Sequence, residues 1–233
     1  MLPDFTSVIV FLGGFLSQAA FYSGFSSALE SFSGKKVFLV DTRVSDWLPS
    51  VSKLGWSLIL NKLDFTVKKA LKHSGDRKLT LIAHSQGGIL ARLYLSDEPL
   101  LASRYCGLDY IDCLITLGSP HINQGGIQRG GHMSRWAQRH VPNAAFAPGV
   151  RYTSVAGKFV RGNSSGSFNE RFAFMSYKEI CTDGAAWGDG IVPVNSALLP
   201  ESEQIVLDSV SHYSPIGKPW YGSEHVLPLW YRP

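Results

Sequence analysis

Cysteine is scarce in this 233-residue sequence, which contains only Cys106, Cys113 and Cys181. An odd count without paired metal-ligand spacing argues against both a disulfide framework and a zinc site. Apolar surroundings, present at two of the three, are typical of buried thiols that behave as small hydrophobes rather than as nucleophiles. The sequence therefore predicts a reducing, cytoplasmic compartment and no metal. The sequence is also compatible with an organelle transit peptide that has been removed.

Long apolar runs are also missing. The stretch 8–22 is apolar enough to resemble a secretory signal, but it lacks the basic start of one. Gly13 and Gly14 interrupt this stretch before it reaches the roughly 18 residues that a membrane-spanning helix needs. No other stretch approaches that length, so we expect a protein without a membrane span.

Charge is sparse as well: 17% of the residues are charged, and the formal net charge is +4. The basic residues are scattered rather than clustered, which argues against nucleic-acid binding. A weak, transient attraction to anionic membrane surfaces stays compatible with this charge. The sequence contains no repeat and no polar linker, and 45% of it is hydrophobic. These features predict a single globular domain over residues 1–233, with no indication of an oligomeric state.

One stretch combines an apolar run with a serine at its end. Apolar residues over 79–83 suit a strand that is buried on both faces, and residues 87–95 suit a helix packed against it. Ser85 lies at the corner between them, where the small neighbours Ala83 and Gly87 avoid a collision of side chains. This arrangement predicts a nucleophile elbow, in which a strained backbone holds the serine hydroxyl above the sheet. The alternative is an ordinary turn whose serine caps the helix.

Apolar runs alternate with helical patterns along most of the chain. Five further strands are predicted, over residues 5–12, 37–40, 110–117, 150–157 and 204–210. Helical spacing of apolar residues is found over residues 19–32 and 51–73. This alternation predicts an α/β fold with a mostly parallel sheet of about six strands and helices on both faces.

Two further strings follow predicted strands or turns and carry titratable side chains. Asp189 stands between two glycines and is followed by the apolar residues 191–193, which would pack the loop against the sheet. Asp183 lies in a similar turn that no such apolar residues follow. His212 comes directly after the last predicted strand. His225 also follows the acid in the chain, but it lies in an aromatic tail typical of packing.

The string around Ser85 is G-x-S-x-G with Ala83 at the first position, and with the other strings it makes the chain resemble the α/β-hydrolase superfamily of compact lipases and esterases. The resemblance implies a catalytic order of serine, acid and histidine, hence Ser85, Asp189 and His212. His121 precedes the acid and is therefore not expected to be the general base. By the same resemblance, the backbone N–H groups of Phe15 and Gln86 would form an oxyanion hole.

The implied activity is hydrolysis of a small-molecule or lipid ester, without a cofactor. Four apolar positions near the predicted site favour an acyl chain as the bound group: Leu16, Ile122, Ile191 and Tyr213. An acyltransferase or a thioesterase would use the same three residues, and a non-catalytic binding protein on the hydrolase fold is the remaining alternative. Residues 122–148 are long for a connection and suit either a lid over the site or a single connecting helix with irregular ends.

Overall fold

The computed structural model describes residues 8–75, 78–97, 99–100, 103–125 and 131–232, and strands and helices alternate along them. The strands are β1 Ile9–Leu12, β2 Val37–Leu39, β3 Leu79–His84, β4 Ile111–Leu117, β5 Arg151–Lys158, β6 Val160–Arg161, β7 Trp187–Gly188 and β8 Glu203–Asp208. The α-helices are α1 Ser23–Ser33, α2 Val44–Trp47, α3 Lys53–Ser74, α4 Gln86–Leu95, α5 Gly131–His140, α6 Phe168–Cys181, α7 Val194–Ala197 and α8 Leu227–Trp230. Short 3-10 helices cover Ala19–Tyr22, Leu48–Val51 and Gly107–Asp109.

Six strands form one sheet in the order β2-β1-β3-β4-β5-β8, and each neighbouring pair is parallel. The prediction of a parallel sheet of about six strands is thus confirmed. Strands β6 and β7 form a separate antiparallel pair. The start of the first predicted strand, residues 5–7, lies outside the described residues.

The sheet separates two apolar layers, because successive side chains of a strand point to opposite faces. On one face, Val10 and Leu12 of β1 pack with the buried sides of α3, α4 and α5. On the other face, Ile9 and Phe11 pack with α1 and with the segment around α8. Helices therefore cover both faces, as the sequence predicts.

Helix α3 illustrates how local sequence sets the bounds of an element. Its apolar stripe predicts a helix over residues 51–73, and the observed helix covers Lys53–Ser74. The preceding residues form a separate 3-10 turn that contains Pro49. The helix ends at Gly75, whose φ of 66° is readily adopted by glycine and completes a left-handed C-cap.

The strand order places a crevice at one edge of the sheet. From β1 the chain crosses through α1 to β2, and from β2 it crosses back through α3, on the opposite face, to β3 on the other side of β1. The direction of winding therefore reverses between β1 and β3. In open α/β sheets, ligands bind outside the carboxyl ends of the strands at such a point.

The segment 122–148 includes α5, and residues 126–130 of it lie outside the described residues. Met133 and Ala137 of α5 are buried in the same apolar layer as α4. The ring of Trp136 stacks on that of His140 at a centroid distance of 4.0 Å. The described part of this segment thus packs on the flank of the sheet, and a lid function for residues 122–148 stays a prediction.

The two faces of α3 give a direct test of this packing. Leu63 is fully buried between α3 and the sheet, whereas Leu54 on the same helix is 62% exposed. We expect Leu63→Ala to lower the free energy of unfolding by about 2–5 kcal/mol, because it removes buried methyl groups and leaves a cavity. Leu54→Ala should change it by less than about 0.5 kcal/mol. Urea denaturation of both variants checks this, and equal losses would contradict the arrangement.

Candidate active site

Ser85 occupies the sharp turn between β3 and α4. Its backbone has φ 55° and ψ −131°, a conformation that costs a residue with a side chain about 1–3 kcal/mol. Gly87 allows the loop after β1 to approach this turn, because a Cβ there would collide with the carbonyl oxygen of Gly13. The N–H of Ser85 donates to the carbonyl of Leu117 at the end of β4, at 2.9 Å. The predicted elbow geometry is present.

The loop after β1 packs directly against this turn. A Cβ on Gly14 would lie 2.6 Å from the Cβ of Ser85, so only glycine permits the observed approach. The carbonyl of Gly14 accepts hydrogen bonds from the N–H and the hydroxyl of Ser17, at 3.2 and 2.6 Å. Because a trans peptide directs its C=O and N–H to opposite sides, the N–H of Phe15 points away from Ser17. Leu16 completes the loop with a φ of 55°.

Gln86 is the first residue of α4. The N–H groups of the first helical turn have no acceptor within the helix, and they carry the positive end of its dipole. The N–H groups predicted to form the oxyanion hole are therefore held by two rigid elements next to Ser85, the loop after β1 and the start of α4.

Asp189 and His212 form a buried pair. His212 Nδ1 donates to Asp189 Oδ2 at 2.7 Å, and the His212 N–H donates to the Asp189 carbonyl at 2.8 Å. The other carboxylate oxygen, Oδ1, accepts the N–H groups of Ile191 and Val192 at 3.0 and 2.7 Å. Asp189 is completely buried and His212 is only 4% exposed. This arrangement fixes the imidazole with its Nε2 edge away from the acid.

Tyr221 also contacts the carboxylate, and its role is not evident from sequence. Its hydroxyl donates to Asp189 Oδ2 at 2.8 Å and accepts the N–H of Gly157 at 2.6 Å. Burial and the neighbouring carboxylate raise the pKa of Tyr221 well above its usual value, so it remains a donor. Tyr177 acts similarly on the same turn, because its hydroxyl accepts the N–H of Gly190 at 2.8 Å. In the sequence, the aromatic residues around Tyr221 indicate only packing. No sequence pattern indicates the contact between Tyr221 and Asp189.

A cavity of about 740 Å³ opens between these elements. Ser85, Gln86, Phe15 and His212 line it together. Most of its remaining lining is apolar: Leu16, Phe21, Pro120, Ile180, Ile191, Val192, Tyr213, Pro215 and Trp220.

Of the predicted substrate contacts, Leu16, Ile191 and Tyr213 thus lie in the cavity, whereas Ile122 does not. Ile122 lines a second cavity instead. Its N–H donates to the carbonyl of Ser196, and its own carbonyl accepts the Ser196 hydroxyl. These two bonds hold Ile122 beside Ser196 at the second cavity, so the structure does not bring it together with the other predicted substrate contacts.

The competing candidates lie elsewhere. Asp183 is exposed, and its carboxylate accepts the N–H of Ala185. His225 is exposed as well. Neither residue lines the cavity that contains Ser85.

His121 is completely buried outside that cavity. Its Nε2 lies 2.9 Å from the hydroxyl of Thr116, and its Nδ1 lies 3.4 Å from a guanidinium nitrogen of Arg92. Burial, together with the positive charge of Arg92, holds the pKa of His121 well below its usual value. His121 is therefore a neutral core histidine.

Burial raises the pKa of the Cys113 and Cys181 thiols, as expected of unreactive cysteines. Within the described ranges, no three histidine, cysteine or acidic side chains are grouped so that they could hold a metal ion. No helix in that part of the chain is both long and apolar enough to cross a membrane.

Comparison with known proteins places this site in context. A family model described as alpha/beta hydrolase fold matches residues 7–190. A search of curated proteins finds no match.

Two solved proteins share the architecture. The mature form of the lipase BlEst2 from Bacillus licheniformis is 18% identical with a TM-score of 0.65, and the alignment covers 98% of this chain and 94% of the lipase. The phospholipase PlaB from Legionella pneumophila is 14% identical with a TM-score of 0.60. That alignment covers 91% of this chain but 55% of PlaB, so this chain spans about half of the phospholipase. At these identities the similarity concerns the fold.

The buried, neutral His121 predicts acid sensitivity. Its folded-state pKa lies below the value of about 6.5 in the unfolded chain, so the unfolded state binds the extra proton and stability falls as pH decreases below that value. The free energy of unfolding should therefore decrease between pH 7.5 and pH 5.5. In urea denaturation, His121→Gln should lose correspondingly less stability over this interval than wild type. His225→Gln is the exposed control, and an unchanged pH dependence in the His121 variant would contradict the assignment.

Proposed function

The chain belongs to the alpha/beta hydrolase fold family, and from that premise we propose that it is a serine hydrolase that cleaves carboxylic esters with an apolar acyl group. One observation carries the proposal. The elbow serine Ser85 and the imidazole of His212 line the same apolar cavity, and the far side of that imidazole is bound to the buried Asp189.

In the proposed reaction, His212 Nε2 takes the proton of the Ser85 hydroxyl as its oxygen attacks the ester carbonyl. Asp189 holds the Nδ1–H tautomer and stabilises the imidazolium that forms. The imidazolium then gives its proton to the departing alcohol, which leaves an acyl group on Ser85. A water molecule, activated by His212 in the same way, releases the acid and restores the serine.

The developing negative charge on the carbonyl oxygen requires donors that are already in place. The N–H of Phe15, on the loop fixed by Ser17, and the N–H of Gln86, at the start of α4, are the proposed pair. Donors held by rigid backbone need no reorganisation during the reaction, and the loss of one typically costs about 3–4 kcal/mol of transition-state stabilisation.

The lining of the cavity supports an apolar acyl group. Leu16, Ile191 and Tyr213 contribute apolar surface, while the polar groups concentrate around Ser85. Apolar pockets with a few convergent polar groups bind the hydrocarbon part of a ligand and orient its reactive part. The names of the two similar structures, a lipase and a phospholipase, agree with such a substrate. Rates on p-nitrophenyl esters from acetate to palmitate would establish the preferred acyl length.

Three alternatives to an ester hydrolase can be distinguished by experiment. An acyltransferase would pass the acyl group to an alcohol in preference to water, and a thioesterase would favour a thioester over the matching oxygen ester. A binding protein without catalytic activity would react with neither substrate and would leave a fluorophosphonate probe unreacted. Product analysis with and without an added alcohol, combined with probe labelling, separates the three classes.

Substitution of the nucleophile is the first test. We expect Ser85→Ala to lower ester hydrolysis by more than about a thousandfold, because the base and the oxyanion donors then have no nucleophile to assist. The fold should persist, since the elbow accepts a smaller side chain. Rates on p-nitrophenyl butyrate and fluorophosphonate labelling, confirmed at Ser85 by peptide mass spectrometry, check this. Activity within tenfold of wild type, in protein free of other esterases, would disprove the assignment.

The acid is tested by a matched pair of substitutions. Asp189→Asn should lower kcat by about 10⁴, because the amide favours the wrong tautomer of His212. Asp183→Asn, at an exposed position six residues earlier in the chain, should leave kcat within about twofold of wild type. Steady-state kinetics of the two variants decides, and the reverse ranking would transfer the acid role to Asp183.

A further inference from the structure

His84, the residue before Ser85, is buried at the wall of the cavity, and both of its ring nitrogens lie close to a polar partner. Nδ1 lies 2.9 Å from the hydroxyl of Tyr22, and Nε2 lies 3.0 Å from the backbone carbonyl of His212. The rings of His84 and His212 lie 4.6 Å apart between centroids. His84 thus contacts the segment that carries the proposed base without taking part in the proposed chemistry.

Tyr22 extends this connection to the other side of the site. Its hydroxyl oxygen accepts the N–H of Gly14 at 3.1 Å. Gly14 supplies the carbonyl half of the peptide whose N–H belongs to Phe15, the proposed oxyanion donor. A chain of three hydrogen bonds therefore runs from the loop after β1, through Tyr22 and His84, to the backbone of His212.

The directions of these bonds determine the protonation of His84. Nε2 must carry a proton, because an unprotonated nitrogen would place its lone pair against those of the His212 carbonyl oxygen. In a neutral ring Nδ1 then lacks a proton and accepts the hydroxyl proton of Tyr22, whose oxygen also accepts the N–H of Gly14. The arrangement thus fits a neutral ring with its proton on Nε2. Burial, reinforced by the nearby His212, lowers the pKa of His84 well below its usual value, in agreement with a neutral ring.

We propose that His84 is a positioning residue for the ester hydrolysis proposed above, which couples the oxyanion loop to His212 through the Tyr22 hydroxyl. The inference rests on that proposed function. In this proposal, the elbow has a second role besides holding Ser85. The residue before the serine, His84, sets the distance between the oxyanion donor and the base. Because the His84 ring is neutral, no positive charge lies next to His212 when His212 becomes an imidazolium.

A double-mutant cycle tests the coupling. Tyr22→Phe removes the hydroxyl, and His84→Leu removes both ring nitrogens, including the acceptor for Tyr22, at a similar side-chain volume. Each change breaks the same link, so each should lower kcat on a short p-nitrophenyl ester about tenfold, with KM within about twofold. The double variant should be about as slow as the slower single variant. Losses that multiply, or kcat within twofold of wild type in Tyr22→Phe, would overturn the proposal.

Tyr105→Phe is the control for removal of a buried tyrosine hydroxyl. The Tyr105 hydroxyl bonds to Asn61 at 2.8 Å, in the apolar layer around α3 and away from the cavity. It should leave kcat and KM at wild-type values. A general loss of stability would instead lower the amount of active enzyme in both tyrosine variants, which titration with a fluorophosphonate measures.

A measurement that needs no substrate tests the positioning role of His84 separately from the hydrolase assignment. In protein with 15N-labelled histidine, the ring of His84, assigned by the loss of its signals in His84→Leu, should show a protonated Nε2 and an unprotonated Nδ1 from pH 5.5 to 8. Tyr22→Phe should shift the ring signals of His212, and Tyr105→Phe should not. Protonation of Nδ1, or titration of His84 in this range, would overturn the positioning role even in an active enzyme. An inactive wild type with the expected signals would instead refute the hydrolase assignment and leave only the hydrogen-bond chain between Tyr22, His84 and His212 in place.

Discussion

A buried carboxylate without donors would be very costly, and this constraint governs how the carboxyl edge of the sheet is built. Asp189 is removed from water, and its two oxygens accept four hydrogen bonds. Two come from its own turn, one from the segment after β8, and one from Tyr221 beyond it. Three stretches of chain must therefore meet at one point before the charge is stabilised. The position of His212 follows from this requirement as much as from its own packing.

A second constraint acts on the other side of the cavity, where backbone segments approach one another very closely. Gly14 and Gly87 allow the loop after β1 to contact the turn at Ser85 without side chains between them. The reversal of strand winding between β1 and β3 provides the open space above this contact. Close backbone packing thus brings the backbone of the loop after β1 and of the start of α4 next to the serine, at the wall of the cavity.

The sequence was sufficient to predict the six strands, because each is an apolar run bounded by turn residues. It also indicated Ser85, Asp189 and His212, because their neighbours have the residue types that such turns require. It did not indicate the hydroxyls of Tyr22 and Tyr221, which contact side chains 62 and 32 residues away. Bonds of this kind follow from the tertiary arrangement and leave no periodic pattern. The place of Ile122 at the second cavity was not evident either, because its nearness to the end of β4 says nothing about its hydrogen bonds to Ser196.

The long sequence separations within the site have a consequence for folding kinetics. His84 and His212 are 128 residues apart, and the segment with His212 follows β8, which joins the sheet only at its edge beside β5. Contacts between distant parts of a chain carry a large loop-closure entropy and tend to form late. A chain in which only β1 to β5 have paired would present Ser85, the proposed nucleophile, without its proposed acid and base. In such a chain the proposed reactivity of the serine would be absent, and it would appear only when the last strand has docked.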